Sequence, residues 1–284
     1  VHACTLPTPG VLTLVGSKRY GSGQRSGGKP SYSMICYGFD TFSDASYAAW
    51  EVNKVFGELV DKKWGLATHK GWTAAGPGFV NHDRELWDVM VETLKQTGYE
   101  GKVGFQVDIA AGTYYDKAKE RYVGLFSAED KTRDDLMRLY EETVKNYPFV
   151  IIEDPLDEND YEGHAILTRE LGVAIVGDDL FTTNTERLQH GLALGAANTM
   201  LLKVNQIGTI SEAFDAVQMC YDHGYGVMPC DSRGEGPNIA DYAVGLNTGH
   251  LREGAIGPVG NRFLEIEAEL GSRAKFAGRK GFKP

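Results

Sequence analysis

The sequence predicts an α/β fold, a TIM-type (β/α)8 barrel closed in a single domain over residues 1–284. Three observations carry that expectation. The chain has 284 residues, long for an ordinary domain but normal for one barrel of about 250. From about residue 100 onward, short apolar runs alternate with amphipathic segments, the pattern of βαβ units. The apolar runs are continuous rather than alternating, as parallel strands covered on both faces require. An open doubly wound sheet is the structural alternative, but no Gly-rich phosphate turn follows a strand.

The elements follow in order. Strands are expected at 10–16 (GVLTLVG) and 32–39 (YSMICYGF), then helices at 42–64 and 83–97. KVGFQVDIA (102–110) reads as a strand and TRDDLMRLYEETVKNY (132–147) as an amphipathic helix. Strand 149–156, helix 160–171, strand 173–180 and helix 184–195 come next. Strand 199–205, helix 209–224, strand 225–232, helix 238–247, a short strand near 250–256 and helix 260–270 complete eight strands. GSKRYGSGQRSGGKPS (16–31) stands apart: Lys18, Arg19, Arg25 and Lys29 with no acid. It reads either as a surface loop or, because it follows the first strand, as a basic lid over an anionic substrate. The closing RAKFAGRKGFKP reads as a solvated basic tail. His164, His190 and His223 fall on helices as surface or packing residues, and Phe214 and Met219 as core.

Composition bounds the function. Hydrophobic residues at 42% and charged residues at 24% sustain a sizeable core and argue against disorder. A net charge of −10, with no basic stripe, argues against nucleic acid as a partner. No apolar run approaches the ~20 residues that span a bilayer, so no membrane association is expected. Cys4, Cys36, Cys220 and Cys230 lack metal-ligand spacing and point to a reducing, cytoplasmic compartment. No leader peptide is expected, although the chain begins at Val1 rather than at a methionine.

The chemistry concentrates at strand ends. Asp108 closes FQVDIA, Glu153 closes VIIEDPL, Asp178 closes VGDDL and Lys203 closes LLKVN, at separations of 45, 25 and 25 residues. Each step is about one strand–helix–strand unit, which brings the four to one depth at the C-terminal mouth of a barrel. Burying ionised carboxylates is costly unless a positive charge meets them. Three converging oxygen ligands suit a hard divalent cation, Mg2+ above all. The plainer reading has each acid capping a helix or pairing with a neighbouring base. Beside a divalent cation the Lys203 pKa is expected to fall, fitting it to remove a proton α to a carboxylate while the metal stabilises the enediolate. The substrate is then a small anionic molecule.

IIEDPLDENDYEG, VGDDLFTTN, LLKVNQIGTISEA, GYGVM, GLNTGHLREGA and NRFLEIEAELG resemble segments of the enolase family, in enolase order, across most of residues 100–278. The resemblance implies the barrel of the enolase C-terminal domain, Mg2+ held by Asp108, Glu153 and Asp178, Lys203 as base and Asp179 as an acid beside them. Arg252 stands where enolases carry a lysine, and PCDSRGE places Asp231, Ser232 and Arg233 where they carry His-Arg-Ser, so these residues are candidates to bind the substrate's anionic groups. The two glutamates that assist loss of hydroxide in enolases have no acid at their places in SYSMI and GWTAAGPG; Tyr32, His69 and Lys70 are substitutes by position. The resemblance thus implies a hydro-lyase acting on a hydroxy acid other than 2-phosphoglycerate. Conventional enolase activity and a non-catalytic enolase-like binding protein are the alternatives. Enolases also carry an N-terminal capping domain absent from these residues: either it was removed, or it is a separate domain or chain, or the active site lacks that part of its lid; family precedent implies a homodimer.

Overall fold

The structure is a computed structural model that describes residues 4–16, 20, 29–69 and 71–284. The basic lid expected over 16–31 therefore falls largely outside the described residues, as do Lys70 and the His69 side chain. Strands β1 (Cys4–Leu6), β2 (Thr8–Gly16) and β3 (Ser31–Cys36) precede helix α1 (Phe42–Trp64). A two-stranded excursion, β4 (Thr68–His69) and β5 (Trp72–Ala75), leads to α2 (Arg84–Thr97). Then come β6 (Val103–Asp108), the small hairpin β7 (Tyr115–Asp116) and β8 (Arg121–Tyr122), α3 (Arg133–Asn146), β9 (Phe149–Glu153), α4 (Tyr161–Glu170), β10 (Ala174–Gly177) and α5 (Thr185–Leu194). The remainder is β11 (Thr199–Leu202), a one-turn α6 (Val204–Ile207), α7 (Ile210–Asp222), β12 (Gly226–Pro229), α8 (Asn238–Gly245), β13 (His250–Gly254), α9 (Gly257–Leu270) and β14 (Ala274–Phe276).

The barrel runs β2-β3-β6-β9-β10-β11-β12 and closes through β13, which pairs with β2 on one side and bridges β12 through Val227 and Gly249 on the other. All eight expected strands are present. One runs against the rest: β3 is antiparallel to both β2 and β6. The Gly/Ser-rich connection before it carries no amphipathic pattern for the crossover helix that a parallel return needs. Two helices, α1 and α2, then follow β3 in succession, giving a ββαα(βα)6 order. Because β3 is reversed, its first residue, Ser31, lies opposite Asp108 at the end of β6, and Asp108 lies opposite Glu153 at the end of β9. The start of β3 thus belongs to the mouth.

The helices form where spacing and caps agree. In α1, Ala45, Ala49, Val52, Phe56 and Val60 recur at three- and four-residue steps and are buried. Thr41 caps its N-terminus by accepting from the Asp44 N–H, and Gly65 in the left-handed conformation ends it. Thr132 and Asp135 form a reciprocal capping box on α3. Among the described residues, no helix is long and apolar enough to cross a membrane.

Ile35, Ile151, Ala174, Val176, Leu201 and Met228 fill the barrel interior together with Phe282. The terminal segment is thus not a solvated tail: β14 pairs in parallel with β1, Thr8 Oγ1 donates to the Gly278 carbonyl at 2.6 Å, and Phe282 packs edge-on against Tyr37 at the end opposite the mouth. A side chain at Gly281 would meet the Gly249 carbonyl at 2.0 Å, so only glycine lets the segment lie this close. The basic residues of RAKFAGRKGFKP conceal an apolar plug. Phe214 and Met219 are partly buried against the core, whereas His164 is fully buried.

Candidate active site

Each strand delivers its ionisable residue to the mouth. Asp108 and Glu153 are the last residues of β6 and β9, Asp178 follows β10, and Lys203 follows β11. All four are buried. Lys203 Nζ lies 2.5 Å from Asp178 Oδ2, and the Lys203 N–H donates to Thr183 Oγ1 at 3.1 Å. Arg252, from β13, reaches across to Asp108 through Nη2 and to Glu153 Oε2 through Nε at 3.2 Å. Lys29 also meets Asp108. Gln106 Nε2, on the same face of β6 as Asp108, donates to Glu153 Oε2 at 3.2 Å. The burial of these acids is offset by two lysines and an arginine.

Asp154 has a different task. Its Oδ1 accepts from the N–H groups of Asp178 and Leu180 at 3.1 and 3.4 Å, and its Oδ2 from that of Asp179 at 2.8 Å. Asp154 itself sits at φ +46°, and Thr182 and Thr183 also have positive φ. Such strain persists where the surroundings impose it, most often at functional sites. The carboxylate therefore staples the turn that presents Asp178.

Three carboxylates, Glu153, Asp154 and Asp178, offer oxygens within 4.8 Å of one another. This grouping substitutes Asp154 for the expected Asp108, yet both Asp154 oxygens are occupied by backbone donors. By contrast Asp108 Oδ1, Glu153 Oε1 and Asp178 Oδ1 are each buried with no hydrogen-bond partner. Buried anionic oxygens of this kind call for a counter-charge. Carboxylate oxygens are the hard donors a divalent cation such as Mg2+ takes, and those that lie within reach of one ion belong to Glu153, Asp154 and Asp178.

The electrostatics qualify one expectation. Burial lowers the Lys203 ammonium, but the charge and hydrogen bond of Asp178 outweigh it and hold the pKa above its ordinary value. The expected fall requires Asp178 to share its charge with a cation. Lys29 differs: burial and then Arg252 pull it down to about 8. Burial, followed by Asp178, raises Asp179, which is half-buried beside the turn. Burial also raises the Cys230 thiol, 3.6 Å from Arg252 Nη1.

Asp231, Ser232 and Arg233 lie on the loop that leaves β12 at the mouth; Asp231 is half-buried, and the other two are exposed. The Arg233 carbonyl accepts from Asn205 Nδ2 at 2.8 Å, which fixes the loop over α6. Tyr32 does not serve as the missing acid: its hydroxyl donates to Asp83 at 2.6 Å within the core. Two residues join the site beyond those the motifs single out: Gln106, two residues before Asp108 on the same strand, and Lys29, from the segment expected as a surface loop or a basic lid. A cavity of about 640 Å³ lies by the loops after β6 and β9, and none of these charged residues lines it.

The sequence matches the family described as "Enolase, C-terminal TIM barrel domain" over residues 23–284. The chain belongs to that family. It is 39% identical over 292 residues to the enolase of Methanopyrus kandleri, covering 98% of this chain and 66% of that protein. It is 38% identical over 290 residues to the enolase of Methanocaldococcus jannaschii, again covering 98% and 66%. The enolase of Bifidobacterium animalis subsp. lactis is 38% identical over 265 residues, covering 89% and 60%. The chain thus spans at most about two thirds of the length of these enolase relatives.

Proposed function

We propose that this chain carries the metal-and-base half of a Mg2+-dependent lyase, which removes a proton α to a carboxylate and eliminates water from a hydroxy acid. The observation behind this reading is Lys203 Nζ set 2.5 Å from Asp178 in a wall of three acids, each with one open, buried oxygen. Asp108, Glu153 and Asp178 would hold Mg2+ through those oxygens. The bound ion would polarise the substrate carboxylate and stabilise the enediolate. Lys203 takes the proton at Nζ: once the Asp178 charge is shared, burial acts on the ammonium with less opposition and its proton is more easily lost. Arg252, Ser232 and Arg233 bind the substrate's anionic groups, with Asp231 and Asp179 flanking the mouth.

Two features favour a substrate other than 2-phosphoglycerate. No acid stands in SYSMI or GWTAAGPG, and the Tyr32 hydroxyl is committed to Asp83. Conventional enolase activity is the second reading, supported by the name Enolase that the relatives bear. A capping domain or chain outside these residues belongs to the proposal and is supported by the relatives' greater length. A homodimer rests on family precedent, and a reducing, cytoplasmic compartment on the four free cysteines. Turnover of 2-phosphoglycerate and of a hydroxy-acid panel by wild type and Lys203→Ala, with Mg2+, tests the reading. Lys203-dependent loss of water from a hydroxy acid supports it; turnover of 2-phosphoglycerate alone supports the second reading. Turnover that survives in Lys203→Ala sinks both.

A further inference from the structure

We propose that Gln106 makes this mouth selective for Mg2+ over Ca2+: by holding one oxygen of Glu153, it restricts that carboxylate to ligating through the other alone. This deepens the metal-and-base reading and rests on it for the presence of a divalent cation.

The place of Gln106 follows from the alternation along β6. Val103, Phe105 and Val107 pack outward in the core beneath the helices, so Gly104, Gln106 and Asp108 face the barrel interior. Gln106 lies opposite Ile151 of β9 and Ser33 of β3, one layer below Asp108 and Glu153. Ile151 belongs to the apolar filling of the barrel, and Gln106 is only 1% exposed. Its Nε2 donates to Glu153 Oε2 at 3.2 Å, while its Oε1 has no hydrogen-bond partner. An ionised carboxylate only accepts, so the amide nitrogen is the atom that faces it. A half-satisfied buried amide is costly, and Leu or Met would fill this layer without that cost. What the amide supplies is its contact with Glu153.

That contact limits how Glu153 can ligate. Gln106 holds Oε2, Arg252 Nε stands 3.2 Å from the same oxygen, and Oε1 is left open. Glu153, Asp154 and Asp178 are the carboxylates within reach of one ion. Asp178 meets Lys203 through Oδ2 and leaves Oδ1 open, and Asp154 spends both oxygens on backbone N–H groups. The cluster therefore offers single oxygens rather than oxygen pairs. Mg2+ demands octahedral geometry, keeps several waters and needs few carboxylates, whereas Ca2+ gathers about six to eight oxygens and takes both from one carboxylate readily. An apolar side chain in place of Gln106 leaves Oε2 with the arginine alone, free to turn with Oε1 toward the larger ion. The plainer role, in which Gln106 only fills its layer, predicts that its loss affects both ions alike.

The test is calorimetric titration of the full chain with magnesium chloride and, separately, calcium chloride. Wild type, Gln106→Met, Glu153→Gln and the double variant are compared. Gln106→Met is expected to weaken Mg2+ by about 10-fold, the lower end for loss of a partner behind a metal ligand. Ca2+ should bind as tightly as before or more tightly, so the affinity ratio moves at least about 10-fold toward Ca2+. In the Glu153→Gln background, Gln106→Met should leave the ratio within about 2-fold, because the carboxylate it acts through is gone. Equal weakening of both ions in Gln106→Met, no change in either, or the full shift of the ratio without the Glu153 carboxylate overturns the inference. A partly unfolded preparation lowers the stoichiometry for both ions alike, and the ratio of affinities still decides. Wild type that binds no Mg2+ overturns the metal reading and this inference with it, whereas Mg2+ binding with an unmoved ratio overturns the inference alone.

Discussion

Replacing Asp154 by alanine removes the acceptor for three N–H groups, those of Asp178, Asp179 and Leu180. Each buried N–H left unpaired costs about 1–3 kcal/mol, and because two share one oxygen at 3.1 and 3.4 Å the low end applies, about 3 kcal/mol in all. Relief of the cost of burying this carboxylate, and then of its repulsion with Asp179, Asp178 and Glu153, returns part of this, so a net loss of about 2 kcal/mol is expected. Asp154→Asn keeps the Oδ1 contacts but can turn its amide donors toward the Asp179 N–H, and should lose about half as much. Urea unfolding of both variants measures the losses, and Mg2+ titration separates a staple from a ligand. If Asp154 is the staple, Asp154→Asn should weaken Mg2+ less than Asp108→Asn does. Unchanged stability in Asp154→Ala, or a larger Mg2+ defect in Asp154→Asn than in Asp108→Asn, would refute the reasoning.

Three further outcomes are expected. His250 is fully buried, and burial depresses its pKa to about 3, so folding keeps it neutral while the unfolded chain protonates near 6.5. Its contribution is present above pH 6.5 and lost as pH falls toward 3; urea unfolding should find about 2 kcal/mol less stability at pH 5 than at pH 7, and His250→Leu should flatten that slope. Phe282→Ala empties the plug at the closed end of the barrel and should cost about 3 kcal/mol by the same assay; a loss below about 0.5 kcal/mol would show the segment to be dispensable. Asp178→Asn removes the charge that holds the Lys203 ammonium up, so NMR titration of the lysine should find its pKa lower than in metal-free wild type.

The depth at which Asp108, Glu153, Asp178 and Lys203 meet was legible because a barrel repeats one strand–helix–strand unit, so residues that end successive strands come to one height whatever the length of the connection. The bounds of α1 were legible for a local reason: Thr41 and Gly65 cap it. Strand direction was not, since apolar runs look the same in either sense, and the reversal of β3 hid Lys29 among loop residues. Glu153 and Asp154 are neighbours whose roles only tertiary contacts separate: one leaves an oxygen open, and the other spends both on the next turn. The closing segment misled because its charges outnumber its aromatic residues, while one phenylalanine decides where it packs.

The central claim is that Lys203 removes a proton beside a carboxylate held at this mouth. Its most direct test is exchange of the α-proton for deuterium, followed by proton NMR in heavy water with Mg2+ and the hydroxy-acid panel, 2-phosphoglycerate included. The account predicts loss of the α-proton signal of at least one acid with wild type and none with Lys203→Ala. Exchange at equal rates in both proteins, or in neither for every acid, would contradict it.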